Sequence, residues 1–322
     1  MKTEISTDPS RAVELLRKDE IVALPTETVY GLAADALDPI AVAKIFEAKE
    51  RPSFDPLIVH LPDFNWFERV ANVPTQDRQL VLALTEKFWP GPFTIVLPKR
   101  EIVPDIVTAG LDTVAVRISA HPVFSEIIRA FGGPLAAPSA NRFGRISPTT
   151  AKHVADELQI PLVIDAGPTE HGLESTIVTL NHGKIDILRR GPITEEQLSI
   201  FGEVTHSTAT EISAPGQMPS HYAPTKPLRL VHSADEMGDE GVGLLAWSLE
   251  PREDFAAIRR LSPKQDLREA AANLFRYLRE LDANEDVDLI VAERVPDHGL
   301  GAAIMDRLRR AAHRSDAPTP PR

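Results

Sequence analysis

The 322-residue chain contains no cysteine. This absence excludes disulfides, thiolate zinc sites and cysteine nucleophiles, and it fits a reducing cytoplasm, where we expect the protein. Long apolar runs are also missing: no run approaches the roughly 18 residues that cross a bilayer. The first twenty residues lack the apolar core of a secretory signal. We therefore expect no membrane association.

Basic residues are outnumbered by acidic ones, and several well-known sequence motifs of nucleotide and metal sites are absent. Lys and Arg total 35 against 47 Asp and Glu, giving a net charge of −12, which argues against a protein that coats nucleic acid non-specifically. There is no GxxxxGK[ST] loop, no GxGxxG fingerprint and no HExxH pair. No nucleophile stands beside an evident general base. Any chemistry must therefore depend on positioning and electrostatics.

The order of predicted helices and strands indicates two α/β domains, as the length also suggests. Helices and strands first alternate and then strands cluster, which predicts a mixed sheet with helices packed on it. Helix starts are predicted at Asp8-Pro9, Asp38-Pro39 and Ser147-Pro148. This domain spans 1–202. The Ser-, Thr- and Pro-rich stretch 203–227 is predicted to be a linker without regular structure.

A smaller domain is predicted over 228–313. Its strand–helix–strand order favours a parallel sheet, and its long helix is expected to begin with a capping box of Ser262 and Gln265. The tail 314–322 is predicted to be disordered.

Polar side chains gather where predicted apolar elements end. In "PTETVYGL", Thr26 and Thr28 follow a buried strand, and they either bond only the turn backbone or meet a ligand. In "KERPSFDPLIVH", Lys49, Arg51 and Ser53 form either a solvated helix end or a triphosphate site.

Two further positions leave alternatives open. Arg117 interrupts the apolar strand "TVAVRIS", so it needs either an internal carboxylate or a substrate carboxylate. His60, in "LIVHL", is by default a core histidine with its hydrogen bonds satisfied. At the end of "KIDILRR", strand alternation places only one of Arg189 and Arg190 on the inner face.

A series of motifs runs from about residue 20 to 192, in the order "PTETVYGL", "KxRP…PLIVH", "WPGPFT", "VTAGLDTVAVR", "APSAN", "SPT", "ESTIV" and "RRGP". This series resembles the YrdC/Sua5 family of threonylcarbamoyl-AMP synthases. The later "APGQMPSHYAP" and small α/β domain resemble the long, two-domain Sua5 form. The implied fold is a YrdC-like open twisted mixed sheet with helices, followed by a smaller Rossmann-like parallel α/β domain.

The resemblance implies an L-threonylcarbamoyladenylate synthase, a nucleotidyltransferase that uses ATP, L-threonine and bicarbonate. Its product would feed the t6A modification at position 37 of ANN-decoding tRNAs through a separate tRNA threonylcarbamoyl transferase complex. Mg²⁺ is expected with ATP, and direct contact with tRNA is left open.

The resemblance also implies two sets of site residues, with the linker folding over the nucleotide as a lid. The threonine-binding set is Thr26, His60, Arg117, Ala137 and Ser175. The ATP-binding set is Lys49, Arg51, Ser53, Thr113, Ser139, Asn141, Ser147, Arg189, Ala214 and Tyr222, with Lys49 and Arg51 as the catalytic residues.

One departure and three alternatives accompany the resemblance. The family's linker often reads "PGMKYxHYAP", whereas "PGQMPSHYAP" lacks one aromatic and one basic residue of the lid. The first alternative is a non-catalytic RNA-binding module, which the net charge disfavours. The second, a carbamoyl transferase of the hydrogenase-maturation type, would need zinc-finger cysteines and an acylphosphatase segment. The third is a homologue that has lost its activity.

Overall fold

The computed structural model describes residues 3–206, 214–216, 218, 221–232, 241–248 and 255–313. The predicted tail 314–322 and part of the predicted linker lie outside them. The described residues pack as two units. The first contains 3–143, 148–170, 174–206 and 214–216, and the second contains 144–147, 171–173 and the rest from 218 onward.

Within the described residues, the first unit has one mixed sheet of eleven strands, as the predicted fold requires. Its spatial order is β1-β8-β2-β3-β7-β4-β6-β5-β9-β10-β11, with both parallel and antiparallel pairs. The strands are β1 Glu4–Ser6, β2 Val22–Leu24, β3 Gly31–Asp35, β4 Ile58–His60, β5 Phe93–Pro98, β6 Thr113–Arg117, β7 Leu135–Ala136, β8 Leu162–Ile164, β9 Thr176–Asn181, β10 Lys184–Arg189 and β11 Val204–His206.

Two helices of this unit begin at the predicted caps. Asp8 and Asp38 accept hydrogen bonds from the first turns of α1 and α2, and a proline follows each, as predicted. The predicted cap at Ser147 is wrong: α7 begins four residues later, and Thr150 accepts from His153 N. The helices are α1 Pro9–Leu16, α2 Pro39–Lys49, α3 Phe67–Val70, α4 Arg78–Phe88, α5 Asp105–Thr108, α6 Pro122–Phe131, α7 Ala151–Ala155 and α8 Glu195–Leu198, with short 3₁₀ turns at Phe64–Trp66 and Thr75–Asp77.

The two faces of the sheet are covered differently. One face packs on α2, α3, α4 and α7 through the largest apolar cluster, which includes Val59, Val116 and Val178. The opposite face packs on α1 and α6 at β2, β3, β7 and β8. Beyond those helices, at β4, β6, β5, β9 and β10, this second face carries a small apolar cluster closed by Ala214. We call this part of the sheet the open face.

Two strands of the sheet differ from the sequence prediction. Gly31–Asp35 form β3, antiparallel to β2, although the run "GLAAD" has few residues that favour strands. Val204–His206 form β11 beside β10, within the segment predicted to be irregular.

The second unit contains a parallel sheet with strand order β12-β15-β13-β14, as its strand–helix–strand pattern predicted. The predicted Ser262–Gln265 capping box is wrong: Asp266 caps α9, and the Ser262 hydroxyl instead accepts from the N–H groups of Lys264 and Asp266. The elements are β12 Leu228–Val231, β13 Val242–Ala246, β14 Ala257–Arg260, α9 Leu267–Ala283, β15 Leu289–Glu293 and α10 Leu300–Ala312.

Candidate functional site

A row of polar side chains crosses the open face of the first unit. The β4–β6 register pairs His60 with Arg117 at the ends of the two strands. The β5–β6 register pairs Ile95 with Val116, so Thr94 is the next residue beside Arg117. Ser175 directly precedes β9, and Arg189 ends β10. Residues predicted from four separate motifs therefore meet on one surface.

Arg117 has the internal carboxylate that its buried position requires. Its Nη2 donates to Glu27 Oε1 at 2.5 Å, its Nη1 to Thr28 Oγ1 at 3.1 Å and its Nε to the Gly91 carbonyl at 3.1 Å. Ser119 donates to the other oxygen of Glu27. Three directions are thus fixed, so the guanidinium plane is rigidly held.

Ionisation of Glu27 and His60 follows from these neighbours. Burial opposes ionisation of Glu27, but Arg117 and the Ser119 hydroxyl outweigh it and lower its pKa to about 2. Burial, and then the Arg117 charge, lower the pKa of His60 to about 3. His60 is therefore a neutral imidazole at pH 7. In the described part of the chain, its Nδ1 is buried without a hydrogen-bond partner, so the default of a satisfied core histidine is wrong for this atom.

Ser175 is held between Thr94 and Arg189. The Ser175 and Thr94 hydroxyl oxygens lie 2.8 Å apart. Arg189 donates from Nη2 to Ser175 Oγ at 3.0 Å and from Nε to the Ser175 carbonyl at 3.1 Å. Arg189 is buried whereas Arg190 is partly exposed, which confirms that only one of the two faces inward.

Gly191 lets the segment after β10 close against Ser175. A Cβ at this position would meet the Thr176 nitrogen at 2.4 Å and the Ser175 carbonyl carbon at 2.7 Å. A side chain would force the two strands apart, so "RRGP" and "ESTIV" depend on each other sterically.

Ala214, in the predicted lid, packs on the open face. It is fully buried with Ile58, Ala115 and Leu188. The carbonyl of the next residue, Pro215, accepts from Arg189 Nη1 at 3.3 Å.

Lys49 ends α2 and is buried rather than solvated. Its Nζ donates to the carbonyls of Ser139 and Asn141, in the "APSAN" segment. Burial, and then the nearby charge of Arg51, lower the pKa of Lys49 to about 7. The "APSAN" segment is also pinned to β3, because Gly31 bridges Ser139 and Leu32 N donates to the Pro138 carbonyl.

Asp55 lies among the predicted phosphate-binding cations. Arg51 pairs with its carboxylate at 2.9 Å and donates to the Pro56 carbonyl at 2.8 Å. Burial raises the pKa of Asp55, while the charges of Arg51, Lys49 and Arg189 act to lower it. The charges of three cations therefore act on one buried carboxyl group.

Thr26 stabilises the turn between β2 and β3. Its hydroxyl donates to the Val29 carbonyl at 2.6 Å and accepts from the Thr28 and Val29 N–H groups. The backbone alternative considered for this threonine is thus present. Ala137 N donates to the Ile58 carbonyl at 3.0 Å, which holds the backbone of Ala137 beside the start of β4.

The remaining predicted residues are dispersed. Ser53 is exposed in the loop after α2. Thr113 opens β6, four residues before Arg117 and about 13 Å away along the strand. Ser147 and Tyr222 belong to the second unit.

Both of those residues are held within the second unit. The Ser147 carbonyl accepts from Arg279 Nε at 3.4 Å. Tyr222 has φ 63°, stacks on Phe275 with ring centroids 5.4 Å apart, and lies 5.0 Å from the Arg307 guanidinium.

Three residues in the first unit acquire importance only in the structure: Glu27, Asp55 and Thr94. Glu27 lies inside "PTETVYGL", and Asp55 follows Arg51 by four residues. Thr94 ends "WPGPFT". Asp55 could have been found from its place four residues after a predicted cation, whereas no local signal pointed to Glu27 or Thr94.

Comparison with known proteins decides the family. A family model described as "Telomere recombination", for Sua5, YciO and YrdC, matches residues 14–191. A second, described as "Threonylcarbamoyl-AMP synthase, C-terminal domain", matches residues 193–313. The chain belongs to the YrdC/Sua5 family.

Relatives within the YrdC/Sua5 family align along nearly the whole chain. Threonylcarbamoyl-AMP synthase of Pyrococcus abyssi is 40% identical over 94% of this chain and 93% of its own length. That of Bacillus subtilis is 41% identical over 96% and 95%. The crystal structure of P. abyssi Sua5 complexed with L-threonine superposes with a TM-score of 0.88 at 37% identity, covering 97% of this chain and 98% of that one. The two-domain YrdC/Sua5 fold predicted from the motifs is confirmed.

None of the described helices has the length and apolar character to span a bilayer. No group of three or more His, Asp or Glu side chains suited to a metal ion occurs among the described residues.

Proposed function

We propose that this chain is an L-threonylcarbamoyladenylate synthase, a nucleotidyltransferase that joins ATP, L-threonine and bicarbonate. The products are L-threonylcarbamoyl-AMP, pyrophosphate and water. A separate tRNA threonylcarbamoyl transferase complex in the cytoplasm would use the adenylate to form t6A at position 37 of ANN-decoding tRNAs. The observation that carries this proposal is the row of His60, Arg117 and Ser175 on the open face. The chain that holds this row is similar along its length to a relative whose structure is complexed with L-threonine.

Arg117 holds the carboxylate of L-threonine in this proposal. A guanidinium has five N–H groups, and three of those of Arg117 bond Glu27, Thr28 and Gly91 within the described chain. The two that remain belong to Nη1 and Nη2, the pair that binds a carboxylate in a bidentate manner. Because the guanidinium plane of Arg117 is fixed, it binds a carboxylate at one position and in one orientation.

Neutral His60 lies beside Arg117 and adds no second charge. Its Nδ1 is suited to a hydrogen bond with the side-chain hydroxyl of the bound threonine. Thr26, the backbone at Ala137 and the Ser175 hydroxyl complete the set.

The cations around Asp55 bind the triphosphate in this proposal. Lys49 gives two hydrogen bonds to the "APSAN" carbonyls, and its third N–H, present when it is protonated, is left for a phosphate oxygen. Arg51 and Arg189 add planar donors suited to phosphate. Mg²⁺ arrives on the triphosphate as part of the substrate. The other ATP-binding residues of the first unit in the proposal are Ser53, Thr113, Ser139, Asn141 and Ala214; the assignments of Ser147 and Tyr222 stay predictions from the motifs.

The reaction then has two bond-forming steps. The unprotonated amine of L-threonine attacks the carbon of bicarbonate, or of carbon dioxide derived from it, forming an N–C bond and a carbamate as water is lost. A carbamate oxygen attacks the α-phosphorus, and the bond to the bridging oxygen breaks, so that pyrophosphate leaves with the electron pair. Lys49, Arg51 and Arg189 offset the charge that develops. The lid excludes water, because a carbamate is readily lost to hydrolysis.

Pyrophosphate release tests the proposal. ATP is supplied with L-threonine and bicarbonate, and each is omitted in turn; release that needs both supports the synthase. Arg117→Lys keeps the charge but loses the planar fork, so it should raise the KM for L-threonine at least tenfold. Arg78→Lys, in an exposed ion pair with Glu68, is the matched control. No release, together with ATP-independent RNA binding, would overturn the proposal in favour of an RNA-binding module.

A further inference from the structure

Thr94 lies at the centre of the candidate site although no role follows from its motif. It is the second residue of β5 and is fully buried. On one side the β5–β6 ladder brings it beside Arg117, and on the other its hydroxyl meets Ser175. It therefore connects the residue proposed for the threonine carboxylate with a second residue of the same set.

The direction of the hydrogen bonds follows from which groups can donate. Arginine has only donors, so Arg189 Nη2 occupies one lone pair of Ser175 Oγ. The 2.8 Å contact between Ser175 and Thr94 holds one proton, supplied by either hydroxyl. Within the described residues, Ser175 is the one hydrogen-bond partner of the Thr94 hydroxyl.

Either direction leaves one buried hydroxyl proton without an acceptor among the described residues. If Ser175 donated to Thr94, that proton would be the one of Thr94, and Ser175 would have no proton left for a ligand. With Thr94 donating, Ser175 accepts from two sides, and its own proton is left to point to a third group. A hydroxyl that accepts twice in this way is oriented before any ligand binds.

We propose that Thr94 is a positioning residue of the threonine-binding site, acting through Ser175. Its hydroxyl directs the Ser175 proton to the carboxylate of the L-threonine that Arg117 holds. This inference rests on the proposed function and deepens it. It assigns part of the selectivity for an α-carboxylate to a residue that does not itself touch the substrate.

Thr94→Val tests the inference, because valine keeps the shape and removes the hydroxyl. The KM for L-threonine should rise roughly five- to tenfold, the effect of one hydrogen bond, while kcat and the KM for ATP stay within about twofold. Thr94→Ser, which restores the hydroxyl, should return the KM for L-threonine to within about twofold of the wild type. Melting curves of both variants report whether the first unit stays folded.

A double-mutant cycle with Ser175→Ala separates positioning from mere packing. Once Ser175 lacks its hydroxyl, Thr94→Val should change the KM for L-threonine no further. Additive effects would overturn the inference, as would an unchanged KM in Thr94→Val or equal losses for threonine and ATP. If the wild type is active and Thr94→Val behaves like it, this inference alone fails. If the wild type neither binds L-threonine by calorimetry nor releases pyrophosphate, the proposed function fails and the inference falls with it.

Discussion

Replacing Glu27 with glutamine should destabilise the first unit and make it less sensitive to acid. The Glu27 and Arg117 side chains are 5% and 3% exposed and pair at 2.5 Å. Breaking a buried pair leaves the remaining charge uncompensated and typically costs about 3–5 kcal/mol. We expect a loss of this size at pH 7, reduced by whatever hydrogen bonding the glutamine amide retains.

The pH dependence has a definite sign. The pKa of Glu27 is about 2 in the folded chain against an ordinary value of 4.5. A carboxyl group with a lowered folded pKa stabilises the protein above its unfolded pKa, and this stabilisation is lost as pH falls from 4.5 towards 2. A difference of about 2.5 pH units corresponds to roughly 3 kcal/mol at pH 7, of which roughly 2 kcal/mol is gone at pH 3.

Urea unfolding followed by tryptophan fluorescence measures this loss. The chain has three tryptophans, and Trp247 lies in the second unit, so a Trp247→Phe parent reports only on Trp66 and Trp89 in the first. Between pH 7 and pH 3, the parent should lose roughly 2 kcal/mol more of its unfolding free energy than Glu27→Gln loses.

Glu68→Gln is the control for this experiment. Glu68 pairs with Arg78 at the same 2.5 Å, but both side chains are about half exposed. Glu68→Gln should lower the unfolding free energy by less than about 1 kcal/mol and should leave its pH dependence the same as that of the parent. A Glu27→Gln variant that loses less than about 1 kcal/mol at pH 7, or that keeps the parent's pH dependence, would refute an ionised Glu27 paired with Arg117.

Three further predictions follow from the same structure. Arg51→Ala should abolish pyrophosphate release. It should also lower the melting temperature, because it removes the ion pair of buried Asp55. Adding Asp55→Asn should restore the melting temperature alone, and a double variant that recovers activity would contradict the role of Arg51. The pKa of Lys49 is about 7, and a bound triphosphate should raise it. ATP binding at pH 8 should therefore take up close to one proton, and ATP affinity should weaken as pH rises further. Calorimetry in buffers of different ionisation enthalpy measures this proton uptake, which Lys49→Met should abolish. Thr150→Ala should cost about 1 kcal/mol in urea unfolding, whereas Ser147→Ala should leave α7 as stable as before; equal losses would mean that Ser147 helps to cap the helix.

Local sequence signals predicted helix starts well where a cap and a proline stood together. Asp8 and Asp38 confirm this. Ser147 has the same pattern but fails, because the helix begins only at Ala151, where Thr150 supplies the cap. Ser262 fails similarly, since Asp266 stands closer to the apolar stripe of α9. Where several hydroxyl and carboxyl groups precede a helix, the sequence alone does not select among them.

Part of the candidate site was accessible to sequence reasoning, and part was not. A guanidinium in the apolar strand of Arg117 required a carboxylate, and one is present. Its identity as Glu27 depends on the packing of a turn ninety residues away, which no local pattern encodes. Thr94 shows the same limit, since a threonine in a strand is ordinary until its neighbour is known to be Ser175.

The fate of the bicarbonate carbon tests the central claim most directly. Purified protein is given ATP, Mg²⁺, L-threonine and ¹³C-bicarbonate, and the adenylate is analysed by mass spectrometry. We predict threonylcarbamoyl-AMP that carries the ¹³C label and is absent when either threonine or bicarbonate is withheld. An unlabelled threonyl adenylate, formed without bicarbonate, would show that the site activates the amino acid itself and would contradict the account.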